Sequence, residues 1–322
     1  MKDGSVVGGG ANRRKVLVRI VSIVFVALCV AFIVHLLVSN WTEVSRAVRH
    51  ARLWLFAPAA VCAIGGMYIL AWRWGAAIVT VGGERGRSHR VISAFFVGEA
   101  GKYIPGAIWA MLGRSELAHR EGYERPVAYS SVALSVIGCY LAASLTAIVF
   151  AAIALLTGSL SGPWWPIVVV AAAGLILIHP AVSRRLLGLV GRVLGRTLEV
   201  DMPNWTSCLR LAVSYVPVWV LIAAATSLVT ASLVPHPPIA RVAFAAVVSW
   251  IIGFITPAPG GIGVREAVFV AVAGVASGPA AAAALLARVL FVGVDAAGAG
   301  IGWLVLRMTE PAGELGATRR SV

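Results

Sequence analysis

Charge is scarce in this chain, and negative charge is scarcer still. Asp, Glu, Lys and Arg make up 12% of the 322 residues, where a soluble domain carries about a quarter. Residues of the AVILMFWYC set account for 60%, and the mean hydropathy is +0.91. No protein interior accommodates that much apolar surface, so it faces lipid. A cytosolic enzyme, a secreted disulfide scaffold and a disordered chain are excluded. Cysteine is sparse too. Cys29, Cys62, Cys139 and Cys208 stand far apart without a CxxC pair, which leaves no disulfide framework and no thiolate metal site. The six histidines are scattered with no HExxH, so no metal ion is expected. Gly8, Gly9 and Gly10 are not followed by Lys and Ser or Thr, so they form no phosphate loop, and no cofactor is expected.

The charge that is present is lopsided: 27 Lys and Arg against 13 Asp and Glu, a net charge of +14. In a soluble protein that balance suggests nucleic acid. In a membrane protein it is a topology signal and an attraction to anionic headgroups, and no nucleic-acid partner is expected.

Membrane helices need about 20 apolar residues. Such stretches occur at 16–38, 53–72, 126–157, 207–234 and 279–308, with a shorter one at 164–179. The polar, glycine-rich start, 1–15, reads as a disordered tail. The stretch after it resembles a signal peptide but lacks a clear small-residue cleavage site, so a retained helix is expected. Stretches 41–52 and 181–204 are basic and amphipathic, as surface-lying helices are. Two further segments are apolar but interrupted. Segment 91–122 holds Tyr103, Ile104, Pro105 and Gly106; segment 239–278 holds Thr256, Pro257, Ala258, Pro259, Gly260 and Gly261. With Pro105, Gly106, Pro257 and Pro259 as breaks, each reads as two half-length helices, either a re-entrant hairpin or a pair of short spans. The expected fold class is an all-α polytopic membrane protein, with six full spans and two broken or re-entrant helical hairpins.

Positive charge sets the sidedness. Lys2, Arg13, Arg14 and Lys15 place the amino terminus in the cytoplasm. The basic loop 73–90, with Arg73, Arg85, Arg87 and Arg90, and the stretch 181–210, with Arg184, Arg185, Arg192, Arg196 and Arg210, fall on the same side. So does the tail 309–322. Loops 158–163 and 235–238 fall outside and carry no Lys or Arg. Arg46, Arg49 and Arg52 break this rule. The expected location is the plasma membrane, with both termini cytoplasmic.

Residues 16–157 read helix, helix, broken segment, helix, and residues 164–308 read the same, entered from the opposite side. This is the pattern of an inverted-repeat transporter, with substrate near the midplane where the broken helices meet. Charges inside apolar stretches are costly and mark functional sites, and here they gather at the breaks. The first break carries Glu99, Lys102 and Tyr103, then Trp109, Arg114 and Glu116. The second carries Gly260, Gly261, Arg265 and Glu266, and the last span adds Arg288 and Asp295. Glu99 and Lys102 share a helix face, as do Arg288 and Asp295. These twelve residues are the candidate substrate-binding set; none is assigned a catalytic role. The competing reading is that Glu99–Lys102, Arg265–Glu266 and Arg288–Asp295 are buried pairs that fix helix register. Trp109 and Trp250 lie deeper than the other tryptophans and are candidates for cavity lining.

The run from Val97 to Trp109, with Gly98, Glu99, Gly101, Lys102, Tyr103, Pro105 and Gly106, followed by Gly113 and Arg114, resembles the first signature of the lysylphosphatidylglycerol synthase transmembrane-region, or flippase-like domain, family. The run from Ala258 to Glu266, with Gly260, Gly261, Gly263 and Arg265, resembles the second. Ala71 to Trp74 and Leu286 to Leu290 are similar to weaker elements. In the best-known members this region moves aminoacylated phosphatidylglycerol between leaflets, and a soluble transferase domain in the same chain makes that lipid. The residues after Met308 are too few for such a domain, so the resemblance implies the membrane region alone. Stand-alone relatives are proposed to move other lipid-linked cargo, including polyprenyl-phosphate sugars. The expected function is therefore a flippase for an anionic or lipid-linked substrate, with membrane lipids and a separate lipid-modifying or glycosyltransferase enzyme as partners. The alternatives are a non-catalytic partner of a glycosyltransferase, or an intramembrane lipid-phosphate enzyme with Glu99 or Glu266 as base.

Overall fold

The computed structural model describes residues 51–84, 86, 88–104, 108–160, 165–193, 203–256 and 258–308, with Val38, Trp41, Thr42, Ser45 and Arg49. Outside the described residues lie the expected span 16–38 apart from Val38, both tails, Arg46, and the breaks Pro105, Gly106 and Pro257. The described residues from Thr42 to Met308 belong to one compact unit. Among the described residues every element is helical.

A turn at Leu53–Leu55 leads into α1, Phe56–Thr80. Its 25 residues span about 37 Å, enough for a bilayer core. The helix runs past Trp72, where the sequence suggested it would end, so Arg73 sits inside it and not in a loop. The reason is the burial of Trp74, Ala77 and Ile78, which carries the apolar pattern onward to a turn at Gly82. Its outer face shows Val61, Ile64 and Tyr68, spaced three and four apart, as a lipid-facing stripe. The first broken segment follows as α2, Ser88–Glu99, a short turn, Ala100–Tyr103, and α3, Trp109–Arg120. Next comes α4, Arg125–Leu156.

The shorter expected span, 164–179, is a 12-residue helix, α5, Pro166–Leu177. At about 18 Å it is too short to cross alone. It bends by 82° into α6, Pro180–Val193, which occupies the amphipathic stretch. An Asn204 cap, accepting from Ser207 N at 2.8 Å, starts α7, Trp205–Val213. It continues after Ser214 and Tyr215 as α8, Val216–Leu233. The second broken segment is α9, Ile239–Ile255, a turn at Pro259–Gly261, and α10, Val264–Val272. The chain closes with α11, Ser277–Met308. By length and composition four helical runs among the described residues can cross a membrane: Leu53–Thr80, Arg125–Leu156, Trp205–Leu233 and Ser277–Met308. Counting the bent pair α5–α6 gives five.

Helices approach closely where small residues face each other, as membrane helix packing requires. α1 packs on α8, where Gly66 meets Val218 and Leu221. α11 packs on α2, where Gly302 lies so near that a Cβ there would fall 2.8 Å from Ser93 O. α9 packs on α4; α3 packs on α4 and α10 on α11. The arms of each broken segment also pack together, so both are hairpins. Each is fastened at its open end by an arginine in the first turn of its first arm. Arg90 forms a two-pronged ion pair with Glu121, with Nη2 donating to Oε1 at 2.6 Å. Arg241 Nε donates to Val272 O at 2.7 Å, and Nη1 to Ser159 O at 2.9 Å.

Candidate functional site

The two hairpin turns meet: Gly260, at φ 55°, lies against the ring of Tyr103. Left-handed backbone at Gly260, Gly261 (φ 69°) and Gly263 (φ 78°) lets the second turn close within so few residues, and a side chain would be strained at each. Beside this junction is a cavity of about 110 Å³. Of the candidate set, Glu99, Lys102, Arg114, Gly260, Gly261 and Arg265 line it.

The same local arrangement occurs in both hairpins. Phe95 and Gly98 sit three apart on α2; Trp250 and Gly253 sit three apart on α9. An arginine from the second arm crosses each glycine. A Cβ on Gly98 would meet Arg114 N at 2.7 Å, and one on Gly253 would meet Arg265 Cδ at 2.7 Å. Each guanidinium then covers the aromatic ring beneath it, Arg114 over Phe95 at 5.0 Å and Arg265 over Trp250 at 3.5 Å. Both arginines face the one cavity.

Helix α11 ties the hairpins together. Asp295 pairs with Lys102 at 2.7 Å and accepts from Tyr103 Oη at 2.6 Å. One face along, seven residues earlier, Arg288 pairs with Glu266 and donates to Gly260 O at 2.8 Å. Glu99 serves two cations, Lys102 at 3.4 Å and Arg114 at 3.7 Å. The pairing therefore differs from the one suggested by sequence spacing: Glu99–Lys102 forms, while Glu266 and Asp295 take partners from other helices. Arg265 turns away from its neighbour Glu266 onto Trp250, and among the described residues no carboxylate lies within 4 Å of it. In formal charge the cluster holds four cations (Lys102, Arg114, Arg265, Arg288) and three carboxylates (Glu99, Glu266, Asp295), an excess of +1. In a low-dielectric interior such an excess calls for an anion.

Trp109 and Glu116 lie on α3 outside this cavity, and Trp109 is 48% exposed. Trp250 does line it. The aromatic wall was not singled out in the sequence: Tyr140, stacked on Phe254 at 4.1 Å, and Trp219, whose Nε1 donates to Cys139 O at 2.7 Å. A tyrosine midway along an otherwise apolar span was the available signal.

The arginine-crossed hairpins carry the two motif runs, and the match extends well beyond them. The family described as lysylphosphatidylglycerol synthase TM region matches residues 19–297. The chain belongs to that family. It is thus a multi-pass membrane protein of a lipid-related, flippase-like family. No curated protein matches it.

Proposed function

We propose that this family member moves an anionic lipid between leaflets, either a phospholipid or a polyprenyl-phosphate conjugate. The headgroup occupies the cavity between the hairpins while the tails stay in the bilayer. The observation that carries this reading is Arg265, a guanidinium lining the cavity with no carboxylate within 4 Å among the described residues, in a cluster with one cation in excess. A phosphodiester brings the one negative charge that balances it. The cavity volume, about 110 Å³, is below the roughly 300 Å³ where sites for drug-sized ligands begin. It suits a phosphate group and leaves acyl or prenyl chains outside. Lys102, Arg114 and Arg265 bind the anion; Glu99, Glu266 and Asp295 hold the cations in place, and Arg288 braces the second turn.

Movement between leaflets follows from the repeat we infer across 16–157 and 164–308. Exchanging α1 with α8, α2 with α9, α3 with α10 and α4 with α11 turns the packing among these eight helices into itself. The α2–α11 contact becomes α9–α4, α3–α4 becomes α10–α11, and α1–α8 maps onto itself. The arginine, glycine and aromatic of each hairpin exchange as well. On this reading the hairpins enter from opposite faces of the plasma membrane, six spans surround them, and both termini are cytoplasmic. A separate lipid-modifying or glycosyltransferase enzyme supplies the cargo.

The test is a leaflet assay in liposomes with headgroup-labelled phosphatidylglycerol. The wild-type protein is expected to expose inner-leaflet label, and Arg265→Gln to slow this about tenfold or more through loss of a charge-assisted contact. Equal rates for the two proteins would overturn the proposal.

A further inference from the structure

A second cavity, of about 120 Å³, shares no lining residue with the first among the described residues. It lies between the C-terminal half of α1, the start of α2 and the loop ahead of α4, and Trp72, Arg73, Gly86, Ser88 and Tyr123 contribute to its wall. We propose that it is a second anion site, which holds the phosphate of a membrane lipid headgroup near the bilayer surface. The proposal is independent of the buried site.

The chemistry of the wall is that of donors. Among the described residues Arg73 is the charged one lining the cavity, and no Asp or Glu lines it. Its Nε donates to Ser214 Oγ at 2.8 Å, at the junction of α7 and α8, which fixes the plane of the guanidinium. Among the described residues neither Nη has an acceptor, and no carboxylate lies within 4 Å. A held, half-buried guanidinium with its paired N–H groups unused presents the fork that fits two phosphate oxygens. Tyr123 Oη accepts from Gly86 N at 3.0 Å, which leaves its own hydrogen to donate. That contact requires glycine, because a Cβ at 86 would collide with the phenol oxygen. Burial holds the Tyr123 phenol above its ordinary pKa, with smaller upward pushes from Glu121 and Glu84, so the hydroxyl keeps its proton. Glu121 is itself taken up by Arg90.

The setting favours a lipid source. Trp72 is 51% exposed beside Arg73, whose guanidinium stands 5.4 Å from the indole. Paired Trp and Arg of this kind sit at headgroup level. The adjoining loop carries Arg85 and Arg87 in sequence, which raises the local concentration of anionic lipid.

The experiment uses the full chain in nanodiscs of phosphatidylcholine with a limiting share of phosphatidylglycerol, and counts retained phosphatidylglycerol by native mass spectrometry. The wild-type protein is expected to retain one more molecule than Arg73→Gln, and Arg73→Lys to keep it about tenfold more weakly through loss of the fork. Tyr123→Phe, which keeps the ring, is expected to retain it less well than wild type. Arg265→Gln is expected to lose a different molecule, so the double variant loses both. Unchanged retention in both Arg73→Gln and Tyr123→Phe overturns the proposal. Displacement of that lipid by millimolar inorganic phosphate overturns the lipid source, because the pocket then serves the free ion.

Discussion

Asp295 accepts from Tyr103, pairs with Lys102 and has only 4% of its side chain exposed. Two residues of the first hairpin thus depend on one carboxylate of the last helix. Asp295→Asn leaves Lys102 with Glu99 alone, which must also serve Arg114. Breaking a buried pair by removing one partner costs about 3–5 kcal/mol. We expect a drop in melting temperature of several degrees, read by tryptophan fluorescence in detergent, and partial recovery in the double variant Asp295→Asn, Lys102→Met. A melting curve unchanged by Asp295→Asn would show that the pair contributes nothing net. At this scale the sequence was informative about which residues gather and uninformative about how they pair. Charges beside Pro and Gly inside apolar runs stand out because lipid tolerates so few. Pairing depends on which helix faces which, and spacing along one helix does not carry that information: Arg288 and Asp295 share a face yet serve opposite hairpins. Trp109 and Glu116 were adjacent to the motif in the chain but are turned out of the cavity by the helical twist.

At the scale of elements, glycine sets where helices meet. Gly298 and Gly302 lie one turn apart on α11 and admit Phe96 and the backbone at Ser93. Gly302→Ala places a methyl group 2.8 Å from Ser93 O. Overpacking of this kind costs about 1–3 kcal/mol, expected as a lowered melting temperature. Ala substitution at Gly300, whose Cβ would meet nothing within 4 Å, is the matched control and is expected to be neutral. Breaks and long spans were legible because Pro and Gly interrupt helices and 20-residue apolar runs have few other uses. Helix ends were less so. Arg73 read as a loop residue because charge usually marks the membrane surface, whereas Ser214 and Trp72 hold it within α1. The 12-residue length of α5 was hidden by apolar residues that continue to the bend at Ile178 and His179.

For the whole molecule, class and membrane residence followed from composition alone, since so much apolar surface leaves few options. The repeat we infer rests on the order of elements and not on residue identity, because lipid selects hydrophobicity over specific side chains. What the two hairpins share is local and geometric: an aromatic three residues before a glycine, and an arginine laid across both. Phe95 and Trp250 occupy that place with different side chains, so a comparison of identities passes over it. The two arginines that fasten the hairpins likewise differ in what they grip, a carboxylate for Arg90 and two carbonyls for Arg241.

The unmatched cation at Arg265 has an electrical consequence. On the proposed function, a monoanionic headgroup bound there makes the cluster neutral and its passage indifferent to membrane voltage. Empty, it carries one positive charge, and a voltage negative inside draws it toward the inner face. The return stroke is then the step that senses the field, at about 2.3 kcal/mol per 100 mV for a charge crossing the whole of it. A potassium gradient with valinomycin should therefore speed lipid exit from the inner leaflet when the lumen is negative and slow it when the lumen is positive. On the proposed function, the protein in such vesicles would behave as a rectifier, with its polarity set by a single guanidinium.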